Sequence, residues 1–348
     1  MAKLIRKLCL LAVCVCVVLA VFAGINIMGD PYNVFHAENI RETGAEPNKN
    51  FIKMQHLLKN KDKYDTLIFG SSRVGFLYFD TSPYENYYNM SYSEGLPKEH
   101  LDNLKVLLRE GVKPKRIFLG VDNISYLVDP ERHKDLLIRM PYPEDGNLFP
   151  FYAKNAANWE VTKMSFKMLT GIQKVKVGNM PLDAERFYKN GESVYDLSYE
   201  MPDTRYDEPY WDAYYEKRID EVLDEIREFK ALCDANNIEL TVFLNPLHYE
   251  TYYKSARHGF FDFMKGLASV TDYYNFAGLN KVTVDNAYFF ESSHYTPEAG
   301  YLMVDAMCYG KVPENLQMHW FGEVVTKENV DDFVEYFTEH IKTMQSGK

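Results

Sequence analysis

An α/β domain built on a parallel sheet, with one apolar helix ahead of it, is what this sequence predicts. Three observations carry that expectation. Apolar runs at 66–69, 116–121 and 238–244 read as strands, and amphipathic helical stretches separate them. The runs are apolar almost throughout instead of alternating, which is the pattern of parallel strands covered on both sides. Residues 8–28 carry no charged side chain and are long enough to cross a bilayer as a helix.

Taken in order, Lys3, Arg6 and Lys7 precede the apolar run, and a positive flank predicts a cytoplasmic amino terminus with the rest of the chain outside. A cleaved signal peptide is the competing reading, since Val21-Phe22-Ala23 before Gly24 fits a small-residue site. The length of the run favours an uncleaved anchor over residues 1–29; on either reading the body is extracytoplasmic. Residues 30–60 read as a polar linker and lead-in, with a short helix at 51–60. The domain proper is expected over 61–345. After the strand at 66–69 come a candidate strand at 87–90 and a helix opened by Pro97, whose Leu101, Leu104, Leu107 and Leu108 share a face. A third strand covers 116–121. Residues 124–210, rich in Tyr, Asn, Pro and Met, interrupt the rhythm and read as an insertion over the carboxyl edge of the sheet. The alternation resumes with a helix at about 210–236, a strand at 238–244, a helix near 250–267, a strand at 270–276, a helix from Pro297 to about Cys308, and an amphipathic helix at about 327–343.

Composition narrows the function classes. A net charge of −11 with no basic run beyond the first seven positions argues against nucleic acid as a partner. Cys9, Cys14 and Cys16 lie in the apolar run, which leaves Cys233 and Cys308 to pair or to stay as buried thiols. No Cys-x-x-Cys pair and no His/Asp/Glu cluster has ligand spacing, so neither a metal nor another cofactor is expected.

The chemistry concentrates in two short segments. Gly70-Ser71-Ser72 follows the first strand, so Ser72 lies at a strand's carboxyl end, where open α/β sheets place their sites. A helix starting near Ser72 would favour negative charge at that point. His294 precedes a late helix, and Glu291 stands three residues before it, close enough to orient an imidazole. A capping serine and a loop acid are the plain structural alternatives.

These segments resemble those of the SGNH/GDSL hydrolase superfamily. Gly70-Ser71-Ser72 matches its early Gly-Asp-Ser motif, and Glu291-Ser292-Ser293-His294 matches its late Asp-x-x-His motif. With the anchor and the Ser-His-Tyr-x-Pro segment, the chain looks most like membrane-anchored proteins of cell-envelope acylation, such as those of teichoic-acid D-alanylation and alginate O-acetylation. The resemblance implies a three-layer, flavodoxin-like parallel-sheet domain with Ser72 as nucleophile, His294 as base and Glu291 as orienting acid. It further implies acyl transfer or ester hydrolysis on an envelope glycan or polyol polymer, beside a multi-span membrane O-acyltransferase. Three positions depart from the pattern. Glu291 replaces Asp; Glu94 stands where the family has its oxyanion glycine, with Gly95 one residue later; and Gly-x-Asn-Asp reads Gly120-Val121-Asp122-Asn123. Gly95, Asp122 and Asn123 are therefore candidates for the oxyanion or for holding the nucleophile loop, and Arg73 and His248 for binding substrate. The departures also fit a catalytically idle domain that binds glycan or scaffolds an acylation complex.

Overall fold

The computed structural model describes residues 1–172 and 217–346, apart from residues 39, 42, 44, 257, 318 and 319. The amino-terminal run forms helix α1, Ala2–Gly29, which is long and apolar enough to cross a membrane, with none of its most apolar window buried. Asp30 ends it in the left-handed conformation, φ 42°, and its carboxylate accepts the N–H groups of Val34, Phe35 and His36 at 2.8, 2.9 and 2.8 Å. The segment expected as a spacer is packed against the domain instead. Val34, Asn33, Thr43 and Asn48 are buried. Asn48 caps α2, Lys49–Lys59, through Phe51 N–H, while its Nδ2 donates to Leu137 O and Met140 O.

Among the described residues six strands form one sheet: β1 Thr66–Phe69, β2 Tyr87–Asn89, β3 Arg116–Val121, β4 Glu239–Leu244, β5 Tyr273–Asn275 and β6 Glu323–Val325. Their order is β2-β1-β3-β4-β5-β6, parallel except for β6, which runs antiparallel to β5. The sheet is thus mostly, not wholly, parallel. The unforeseen β6 has three residues, too few to show a period. Among the described residues the helices after α2 are α3 Pro97–Arg109, α4 Asn123–Leu127, α5 Leu148–Ala156, α6 Trp159–Leu169, α7 Ile219–Ala235, α8 Tyr249–Ala256, α9 Phe260–Val270, α10 Pro297–Tyr309, α11 Glu314–Gln317 and α12 Val330–Ser346. One helix was expected near 250–267; Gly259, at φ 89°, opens a second there.

Successive strand side chains point to opposite faces, and two apolar cores follow. Leu67, Phe69, Ile117, Leu119, Val242 and Leu244 belong to one, with Leu104 of α3, Phe229 of α7 and Phe263 of α9. Ile68, Phe118 and Phe243 belong to the other, with Val74, Phe76 and Met303 of α10. Each such side chain contributes about 1.5–3 kcal/mol on burial, so burial on both faces explains strands without polar alternation. Cys233 lies in the first core and Cys308 packs against the second, so the sheet separates the two thiols; both are free, and burial pushes each up to about 12.

Of the expected insertion, residues 124–172 form α4, a 3₁₀ turn at Pro130–Asp135, α5 and α6. Residues 173–210 and the expected start of the helix near 210 lie outside the described residues.

Candidate functional site

The strand order reverses direction between β1 and β3: from β1 the chain moves outward to β2, then returns to β3 and onward to β4. A crevice at the carboxyl ends of the strands is the expected ligand position in such a sheet. Ser72 follows β1 and Asp122 follows β3, so the topology alone brings them to that point.

Gly70 makes the turn out of β1 at φ 154°, and a Cβ there would lie 2.4 Å from Val74 Cγ2. Only glycine fits that conformation without displacing Val74 from the core. Ser72 then starts a 3₁₀ turn, Ser72–Phe76, instead of the α-helix entertained from the sequence.

The loop before α10 supplies the other half. Ser72 Oγ and His294 Nε2 are 2.8 Å apart across 222 positions of sequence. On the far side of the ring, His294 Nδ1 hydrogen-bonds to Glu291 Oε1. Glu291 Oε2 accepts the N–H of Ser293 at 2.9 Å, which closes the loop on itself. Burial pushes the Glu291 carboxyl up, but the His294 ring, the Ser293 N–H and Arg73 outweigh it and hold Glu291 below the usual carboxylate range. The carboxylate is thus ionised at neutral pH. A hydroxyl, an imidazole and an ionised carboxylate in this sequence can move a proton from Oγ to Nε2 while the carboxylate fixes the ring tautomer. The longer Glu side chain is accommodated because the i, i+3 loop folds it back to the Nδ1 edge of the imidazole. Phe76 meets the His294 ring edge to face at 5.8 Å.

Comparison with protein-family models, curated proteins and solved structures gives no match.

Arg73 is turned into the protein. Its Nη1 lies 2.9 Å from both Asp122 Oδ1 and Asn123 Oδ1; its Nε donates to Ser293 O at 2.7 Å and its Nη2 to Ser293 Oγ at 3.0 Å. The guanidinium thereby ties the β3 end to the His294 loop, and at 2% exposure it has no surface to offer a substrate. Asp122 collects the rest of the turn: its Oδ2 accepts Ser71 Oγ–H at 2.9 Å and Asn245 Nδ2–H at 3.2 Å, and its Oδ1 caps Ile124 N–H. Of its two candidate roles, the geometry is that of a holder of the nucleophile loop.

Gly95 packs onto the nucleophile turn, where a Cβ would lie 2.5 Å from Gly70 O. Its N–H donates to Tyr92 O at 3.0 Å, within its own turn, and so is not directed at an oxyanion. Glu94 adopts φ 56°, the left-handed shape a glycine takes at ease. Its carboxylate meets Arg139 Nη1 at 2.6 Å and His133 Nε2 at 3.3 Å, and Glu99 takes the other ring nitrogen of His133 at 2.7 Å. Burial lowers the His133 pKa, but the two carboxylates override it and raise it to about 9. Lys53, fully buried, donates to Ser91 O in the same loop.

His248 is buried with its Nε2 3.0 Å from Asn286 Oδ1 and its ring 5.2 Å from that of Phe289. Burial lowers its pKa, partly offset by the Asn286 hydrogen bond.

The bonding roles of Ser71, Ser293, Asn245 and His100 escaped the sequence reading. Ser71 and Ser293 stand inside the recognised motifs without a role of their own, and Asn245 follows β4 at the same edge as Ser72. His100 gives no local sign: it sits on α3, yet its Nε2 lies 3.1 Å from Gly70 O. Among the described residues no group of three or more His, Cys, Asp or Glu is placed to hold a metal ion.

Proposed function

We propose that this protein is an SGNH-type serine acyltransferase or esterase acting at the cell envelope. The observation that carries the reading is the relay from Ser72 Oγ through His294, at 2.8 Å from Nε2, to the ionised Glu291. Ser72 Oγ attacks the acyl carbonyl as its proton passes to His294 Nε2. Glu291 stays ionised and stabilises the imidazolium. Collapse of the tetrahedral intermediate expels the donor's leaving group, which takes the proton from Nε2, and acyl-Ser72 remains. A sugar or polyol hydroxyl, or water, then attacks the acyl carbonyl as it gives its proton to Nε2, and collapse of this second intermediate breaks the ester to Ser72, whose Oγ takes the proton back from Nε2.

Asn123 is the candidate oxyanion donor that the resemblance suggests. Arg73 holds its Oδ1, which fixes the orientation of the amide and hence of Nδ2. The left-handed backbone of Glu94 supports the resemblance from another direction, since the glycine of the family pattern would occupy that residue's place. Helix α1 places the domain at a membrane surface on this reading, where a multi-span membrane acyltransferase would be a fitting acyl source and an envelope glycan or polyol polymer the acceptor.

One observation favours an idle, glycan-binding or scaffolding domain: the Gly95 N–H is spent inside its own turn. A fluorophosphonate probe separates the two readings. Labelling of the full chain that disappears in Ser72→Ala and weakens in His294→Ala supports the enzyme; a folded protein that does not label supports the scaffold.

A further inference from the structure

Helix α1 does not stand apart from the rest of the chain. Phe22 meets Trp159 edge to face at 6.0 Å, a Cβ on Gly29 would fall 2.2 Å from Ser165 Cβ, and the Tyr32 hydroxyl reaches Met164 Sδ at 3.5 Å. The pairs Phe22–Trp159 and Gly29–Ser165 advance together, so α6 runs parallel to α1, and its first residue lies beside a point seven positions before Gly29. At 1.5 Å per residue that is about 10 Å down the helix. Helix α5 descends to the same level, and the α5–α6 turn is its tip.

The depth of that tip follows from α1 itself. With Lys3, Arg6 and Lys7 in the inner headgroups, a hydrocarbon core of about 30 Å takes about 20 residues from Leu8 and ends near Ile27. Phe22 and Trp159 then sit about 7–8 Å below the outer boundary, within the depth at which amphipathic helices lie in a membrane interface. Exposed apolar side chains run up from this level: Trp159 is 61% exposed at the tip, and Phe166, one heptad later on α6, and Phe149, seven residues before the end of α5, are 53% and 78% exposed about 10 Å higher, at the headgroups.

The backbone is prepared for such a place. Asn26, the one amide in the apolar run, is fully buried, and its Nδ2 donates to Ala156 O at 2.8 Å and to Asn158 O at 3.1 Å, which also accepts the Thr162 N–H and hydroxyl, while Asn26 Oδ1 meets no donor among the described residues. The Asn158 side chain in turn accepts the N–H groups of Glu160 and Val161 at 2.8 and 3.1 Å. Polar backbone in lipid must be satisfied internally. The charges nearby pair or reach upward: Glu160 meets Lys163 at 2.6 Å, and lysine stems can lie along apolar surface with the ammonium in the headgroups.

We infer that the α5–α6 hairpin is a second membrane element, its tip inserted into the outer leaflet beside α1 through Trp159, with Phe166 and Phe149 at the headgroup level above it. The occupant of this face is lipid, because the face is continuous with the exposed side of α1. The inference rests on α1 being an uncleaved span and is independent of the chemistry at Ser72. It holds the domain rigidly at the bilayer instead of tethering it on a spacer.

The test uses the full chain in phosphatidylcholine–phosphatidylglycerol vesicles. With Trp211→Phe and Trp320→Phe, Trp159 is the sole emitter of the three tryptophans. Chain-brominated lipid is expected to quench it about twofold, as for an indole at interfacial depth. A second protein carries Val15→Trp as its sole tryptophan, within α1. Quenching at position 15 with Trp159 left open to aqueous acrylamide overturns the hairpin and keeps the span; no quenching at either position overturns both. Diazirine-bearing lipid on the unsubstituted protein gives the same answer if the tryptophan variants misfold. Adducts on 149–166 support the inference, and adducts confined to α1 overturn it.

Discussion

Arg73 and Asp122 face each other at 2.9 Å beneath the Ser72 turn, with 3% and 1% of their side chains exposed. Each is bound by further partners: Asn123 and Ser293 on the arginine, Ser71 and Asn245 on the aspartate. Breaking such a pair from one side leaves a buried charge uncompensated. Arg73→Met is expected to cost about 3–5 kcal/mol of stability, read from denaturant melts. Arg73→Met with Asp122→Asn should recover part of that loss, and Arg73→Lys should fall between, since an ammonium cannot reproduce the fork.

Glu291 is expected to act through tautomer and charge. Glu291→Gln should reduce the rate of Ser72 acylation by a factor on the order of 10³–10⁴, as loss of the orienting carboxylate does in such relays. Glu291→Asp should retain more activity than Glu291→Gln, by keeping the charge at a shorter reach. Probe-labelling rates across the three proteins check both statements.

If Asn123 donates to the oxyanion, Asn123→Ala should lower kcat by about 10²–10³ with a smaller change in KM. Because the same change removes an acceptor from Arg73, the melting curve is measured alongside. A loss of turnover without a matching loss of stability identifies the donor role, and equal losses reject it.

His133 gives the fold an alkaline limit. Its folded pKa, about 9, lies above the ordinary histidine value. The stabilisation is therefore complete below about pH 6.5 and fades as pH rises through 9. The melting temperature should fall between pH 7 and 9.5, and His133→Gln should be less stable at pH 7 but flatter over that window. An unchanged slope in the variant would assign the pH dependence elsewhere.

Several elements were legible because local chemistry fixed them. The apolar runs at β1, β3 and β4 have one stable outcome, burial on both faces, and Pro97 and Pro297 mark the starts of α3 and α10. Gly70-Ser71-Ser72 and Glu291-Ser292-Ser293-His294 stood out for the same reason, since a serine at a strand end and a carboxylate three residues before a histidine are short-range patterns. The strand expected over 270–276 is there but shorter, as β5, and the three-residue edge strand β6 was not expected, since so short a strand owes its position to its neighbour.

What the sequence by itself determined is the apolar helix, the class of the sheet and the residues able to move a proton. Tertiary structure decided which of them meet. Arg73 looked like a substrate contact until the fold supplied Asp122 and Ser293 to its guanidinium; Gly95 looked like an oxyanion donor until its turn spent the N–H; and residues 30–48 looked like a spacer until Asn48 found carbonyls some 90 positions away. The physical reason is common to all three. A polar group takes whichever partner folding brings within about 3 Å, and that partner is chosen by chain topology over distances along the sequence that no local pattern spans.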